Sequence, residues 1–177
     1  MPQRRVPMKG ERAANGASTV GTAAAERTIR LDYSRVLPGA VAAMAGLESV
    51  VHSSTLEPEL LELVKVRASQ INGCGYCLDM HTKDAAALGV EPQRLHLVAA
   101  WQEAPNYSLR ERAALRWCEA LTLLPASGAP DSAFEEAAAN FSPEEVVALT
   151  VAIVAINGWN RLAVGFRTPV GSYHRRG

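Results

Sequence analysis

Glu62, Cys74, Cys77 and His81 fall within twenty positions of one another, in the stretch EPELLELVKVRASQINGCGYCLDMHTKDAAALGV. If the chain is helical from Cys74 to Leu88, Cys77 and His81 stand four residues apart on one face and can touch. A histidine beside a thiol stabilises the thiolate when protonated, or accepts the proton when neutral. A helix N-terminus adds partial positive charge near Cys74 and Cys77. Both effects lower a thiol pKa. An unperturbed thiol is only ~3% ionised at pH 7, and lowering its pKa by ~2 units makes it mostly thiolate, for ~2.7 kcal/mol. A thiolate attacks a peroxide O–O bond to give a sulfenic acid, and a second cysteine one helical turn away condenses with it to a disulfide. Glu62, on the preceding helix, could orient His81 and carry its proton, as the third member of a triad-like relay. By helix geometry Cys77 faces His81. Cys74 lies at the frayed, more exposed helix start and suits attack by an external reductant.

Other readings of the same residues are weaker. A zinc clip could use Cys74, Cys77, His81 and Glu62, but structural zinc draws on two ligand pairs and this chain offers one. A thioredoxin-type site is disfavoured because no βαβ pattern surrounds the CxxC. Core packing explains one cysteine, but not the pair in register with a histidine. Cys118, which follows Trp117 in an amphipathic stretch, reads as a small core residue. His52, His96 and His174 have no partners at ligand spacing and read as structural or solvated. Glu62 taken alone would be a surface glutamate paired with Lys65; its register with the CxxC lifts it. Trp159, Asn160 and Arg161 interrupt an apolar helix, where a charge requires a partner. They line a pocket or hold an interface, and the sequence leaves both open.

The bulk properties set the frame for these residues. The chain has 177 residues, is 48% hydrophobic, and balances 18 basic against 18 acidic residues. That length suits one domain with a real core. Charge balance argues against nucleic acid as a partner. Three cysteines do not make a disulfide scaffold, and an odd count without a secretory signal suggests a reducing, cytoplasmic setting. No unbroken apolar run of 18 residues occurs, so no membrane-spanning helix is expected. Residues 1–30 are basic and rich in Gly, Ala and Thr, with no apolar segment for Arg4-Arg5 to precede, and read as a mobile tail. Residues 31–170 form the expected domain and 171–177 a C-terminal tail.

Within that domain the periodicity is helical throughout. Val41, Met44, Leu47 and Val51 share a face, as do Leu61, Val64, Ala68 and Ile71. Pro58 suits a first helical turn and Asn72-Gly73 a stop. A helix follows from Cys74 to Leu88, and Pro92 opens another through about Glu103. Ser108 with Glu111 and Ser142 with Glu145 have the spacing of capping boxes. The helix after Ser142 is apolar on nearly every side, which fits a core or, in part, a subunit interface. The expectation is an all-α domain of about six or seven helices.

LLELVKVRASQINGCGYCLDMHTKDAAALG resembles the core of the AhpD-like alkylhydroperoxidases, within the carboxymuconolactone decarboxylase superfamily. That family's pattern is Glu, eleven residues, CxxC, three residues, His. Glu62, Cys74, Cys77 and His81 match it without a gap. ERAALRWCEALTL and AINGWNRLAVGFR are similar to the family's later helices, so the resemblance covers roughly Leu31 to Pro169. It implies an all-helical fold, assembled as trimers or hexamers. It implies thiol-dependent peroxide reduction, with no cofactor or metal and with electrons from a lipoyl-bearing or thioredoxin-like dithiol protein. It assigns Cys77 as peroxidatic, Cys74 as resolving, and Glu62 and His81 as the proton relay. Tyr76 is a departure, since some members carry histidine before the second cysteine. Two other functions compete: a CxxC disulfide reductase or redox-sensing module, and a decarboxylase or lactone-processing enzyme. Superfamily members of the latter kind work with histidines, so the intact cysteine pair argues against it.

Overall fold

The computed structural model describes residues 28–175. All but the last three residues of the expected N-terminal tail lie outside that range. The described residues form helices α1 (Tyr33–Val36), α2 (Pro38–His52), α3 (Pro58–Ile71), α4 (Gly75–Ala87), α5 (Pro92–Leu97), α6 (Leu109–Thr122), α7 (Leu124–Ser127), α8 (Asp131–Asn140) and α9 (Pro143–Phe166). No strand occurs among them. Leaving out the single-turn α1 and α7, seven helices remain, within the expected number.

Local signals account for most helix starts. Proline occupies the first turn of α2, α3, α5 and α9, where no amide hydrogen is needed. Both capping boxes form in full. The Ser108 and Ser142 hydroxyls accept the Glu111 and Glu145 amides, and each glutamate accepts its serine's amide in return. The helix expected from Pro92 to Glu103 is shorter than its sequence suggested. It stops at Leu97 and tightens into a 3₁₀ turn over Val98–Ala100. This brings Val98 and Trp101 into a small apolar cluster with Leu63, Val66 and Leu115.

α3 is the central helix, packed on α4, α6 and α9. Its expected face is buried as far as Ala68, while Ile71 is only half-buried. The opposite face is buried too, because α3 serves two cores. Leu61 and Val64 join the large cluster with α6, α8 and α9, while Leu63 and Val66 join the small one. Each such aliphatic side chain contributes roughly 1.5–3 kcal/mol, so α3 is a fixed base for the charged residues it carries. α9 has the length and mean hydropathy of a membrane-crossing helix. It places Leu149, Ile153 and Ile156 in the core and leaves Val147, Val154 and Val164 exposed.

Candidate active site

The site is built on the turn between α3 and α4. Gly73 takes a left-handed conformation (φ 64°) that most side chains would strain. The chain then extends through Cys74, which caps α4. Its Sγ accepts the Cys77 amide at 3.3 Å, the role a serine or aspartate oxygen usually fills. Cys77 and His81 follow on α4, and both are buried.

α3 supplies the charged groups. Glu62 Oε2 lies 2.8 Å from His81 Nδ1. A carboxylate only accepts, so Nδ1 carries a hydrogen and Nε2 is the nitrogen left to give or take a proton on the cavity side. Glu62 Oε1 lies 3.4 Å from Lys65 Nζ, which also reaches Glu48 Oε2 at 3.2 Å. Lys65 is only 3% exposed. Burial opposes ionisation of Glu62, but the hydrogen bond from His81 and the charges of His81 and Lys65 outweigh it. Its carboxyl is held below the usual value. The pairing of Glu62 with Lys65 and its register with His81 therefore occur together. Reading the sequence missed that Lys65 is buried and reaches Glu48. The available signal was its position in LLELVKV, a run with no room for a solvated face.

The two cysteines open onto different spaces. Cys77 lines a cavity of about 440 Å³ together with Glu62, Lys65, His81, Tyr76 and Trp159. Cys74 lines a second cavity of about 390 Å³, with Gly75, Val164, Arg167 and Val170 among its walls. The expectation that Cys74 is the more exposed cysteine is not met. Both are 1% exposed, and Val170 lies against the start of α4 beside Cys74. A Cβ on Gly75 would meet Val170 Cγ2 at 2.9 Å, so glycine is what lets that segment lie so close.

The charge on the pair also lies elsewhere than the helix geometry alone suggested. The Cys77 thiol donates to the Cys74 sulfur, which also accepts the Cys77 and Tyr76 amides. Together these outweigh burial and lower Cys74 to about 7. Cys77, as donor in that bond and buried, is pushed up. Of the two thiols, Cys74 is the more readily ionised. Asn160, beside the pair, favours the ionised form of both sulfurs. Its amide nitrogen also reaches Ser69 Oγ at 3.1 Å, and its carbonyl accepts from Asn72 Nδ2 at 2.9 Å.

The WNR trio thus divides. Trp159 lines the larger cavity, Asn160 lies buried beneath the cysteines, and Arg161 is exposed on the Asn157 carbonyl. His52 sits at the rim of the larger cavity, whereas His96 and His174 are exposed elsewhere. Cys118 is fully buried, donates to the Val64 carbonyl and is pushed up to about 12 by burial. Residues 171–175 fold back on α4, where the Tyr173 hydroxyl donates to both Asp84 oxygens at 2.8 and 3.0 Å. Donor atoms of Glu62, His81 and Asp84 come within 4.8 Å of one another, but neither cysteine sulfur joins them, so the four-residue zinc clip does not assemble.

The profile of the carboxymuconolactone decarboxylase family matches residues 38–120. The uncharacterized protein YdfG of Bacillus subtilis is 36% identical over 135 residues, covering 76% of this chain and 92% of its own. A crystal structure from Agrobacterium tumefaciens, of unknown function and provisionally described as the antioxidant defence protein AhpD, is 47% identical with a TM-score of 0.77. That match covers 85% of this chain and all of the other. The debrominase Bmp8 shares the fold at 23% identity and a TM-score of 0.69, over 76% of this chain and 73% of its own.

Proposed function

The chain belongs to the carboxymuconolactone decarboxylase family, on its AhpD-like side, and from that premise we propose that it is a thiol peroxidase that reduces organic hydroperoxides. The observation that carries this reading is the position of Cys77. It shares one cavity with the hydrogen-bonded Glu62–His81 pair, while a second thiol lies one helical turn away.

Once Cys74 has ionised, the pair holds one proton and one negative charge between two sulfurs. Moving the proton from Cys77 to Cys74 along their hydrogen bond places the thiolate in the peroxide cavity. The Cys77 thiolate attacks the O–O bond, forming Cys77–SOH and releasing an alkoxide. His81, held by Glu62, supplies the proton that makes the alkoxide an alcohol. Cys74 then attacks the Cys77 sulfur. The S–O bond breaks, hydroxide leaves and is protonated to water, and a Cys74–Cys77 disulfide remains. A dithiol protein returns two electrons and two protons. The sum is hydroperoxide plus dithiol giving alcohol, water and the donor's disulfide.

The test is stopped-flow oxidation of the reduced protein by cumene hydroperoxide, followed by mapping of the cysteines protected from alkylation. The proposal expects oxidation far faster than that of free cysteine and protection of Cys74 and Cys77. Oxidation no faster than free cysteine would replace it with a disulfide reductase. Cys74→Ser should leave a sulfenic acid at Cys77 that dimedone traps, and an adduct-free protein would overturn the roles of the two cysteines.

A further inference from the structure

Two carboxylates stand near one imidazole. Glu62 Oε2 accepts from His81 Nδ1 at 2.8 Å. Asp84 follows His81 by three positions on α4, a spacing that puts both side chains on one face. Donor atoms of Glu62, His81 and Asp84 lie within 4.8 Å of one another, a gap small enough for a side-chain rotation to close. All three residues line the cavity that holds Cys77. A protonated imidazole has two donors. Glu62 uses one, and the other must stay free for the leaving oxygen of the substrate. A carboxylate as near as Asp84, left without a partner, would accept it.

The end of the chain supplies that partner. The Tyr173 hydroxyl donates to Asp84 Oδ1 at 2.8 Å and to Oδ2 at 3.0 Å. Arg175 Nε adds a more distant charge, 3.8 Å from Oδ1. Lys83 Nζ holds the Tyr173 carbonyl at 3.1 Å, which fixes the segment on α4. Burial and the bond to Asp84 push the Tyr173 hydroxyl up to about 12, so it remains a donor throughout the range in which thiols react. Glu62 is held differently. Its Oε1 lies against Lys65 at 3.4 Å, which leaves Oε2 for the histidine. Each carboxylate has its own donor, and only Glu62 has an oxygen turned to His81.

We infer that Tyr173 is a positioning residue of this site: by holding Asp84, it keeps a second carboxylate off His81, so that Glu62 alone orients the imidazole. This rests on His81 being the proton donor of the peroxidase step. The segment that the sequence marks as a C-terminal tail therefore works as a strap on the relay. Without the hydroxyl, Asp84 turns to the ring, and the proton meant for the alkoxide is held by a carboxylate instead.

The experiment compares three full-length proteins: wild type, Tyr173→Phe, and Tyr173→Phe combined with Asp84→Asn. Phenylalanine keeps the ring and loses only the hydroxyl. Asparagine keeps the shape of Asp84 and removes its charge. Stopped-flow oxidation by cumene hydroperoxide should slow roughly tenfold in Tyr173→Phe, a part of the ~10²–10⁴-fold that a positioned proton donor contributes. Adding Asp84→Asn should return most of that loss. A strap that merely steadied the fold would show no such rescue, because the second substitution also weakens its anchor. The same proteins carrying isotope-labelled histidine give a readout that needs no peroxide. The His81 ring resonances, assigned by their absence in His81→Gln, should shift in Tyr173→Phe and return in the double variant. In a chain that reduces peroxide, the inference falls if Tyr173→Phe is as fast as wild type, or if the double variant stays as slow as Tyr173→Phe. In any chain it falls if the His81 resonances do not move. A wild-type protein inert to peroxide that still shows the shift and its reversal would remove the peroxidase reading and leave the hold on Asp84 standing.

Discussion

One proton shared by two sulfurs gives the site a measurable titration. Cys74 is lowered to about 7 and Cys77 is raised, so absorbance at 240 nm should show one thiolate per chain appearing as pH rises through about 7. The second should stay protonated well past the ordinary thiol value. Equal titration of both near 8.5 would contradict the shared bond. Asn160→Ala removes a side chain that favours ionisation of both sulfurs and should move the first midpoint upward, with His81 still in place. Lys65→Met leaves buried Glu62 and half-buried Glu48 without their shared cation. It should cost roughly 3 kcal/mol in urea unfolding, and Lys65→Arg clearly less. The i,i+4 step between Cys77 and His81 and the register of Glu62 were legible in the sequence. The buried lysine was not, because lysine is seldom buried and its spacing from Glu62 suits a surface pair equally well. The charge on Cys74 was hidden for a different reason. It depends on a sulfur acting as a helix cap and on the side chain of Asn160, far along the chain.

Helices announced themselves where their ends carry chemistry. Ser142→Ala should cost about 1 kcal/mol by removing a complete capping box, seen as a lower Tm. The end of α5 was illegible, because an α-turn and a 3₁₀ turn share the same local residues and only the demand for Val98 and Trp101 in the small core separates them. The central place of α3 was masked by Glu62 and Lys65, which dilute its apolar pattern although both lie inside. The α3–α4 turn carries a prediction of its own. Gly75→Leu must push Val170 away from the start of α4. Iodoacetamide should then label Cys74 faster than in the wild type, read by mass spectrometry. Unchanged labelling would mean that the C-terminal residues do not guard that sulfur.

At the scale of the whole molecule, one helical hairpin held between two apolar cores presents its cysteines to two separate cavities. If the peroxide step ends at a Cys74–Cys77 disulfide before any donor reacts, turnover should be ping-pong, with parallel double-reciprocal plots as donor concentration is varied. Intersecting lines would indicate that both substrates must be bound before oxidation. The segment after α9 bears on both cavities: Val170 lines the smaller one and Arg175 the larger. A bulky label coupled at residue 175 would therefore crowd the cavity that holds Cys77, and one at residue 170 the cavity that holds Cys74, so each sulfur has its own handle for obstruction.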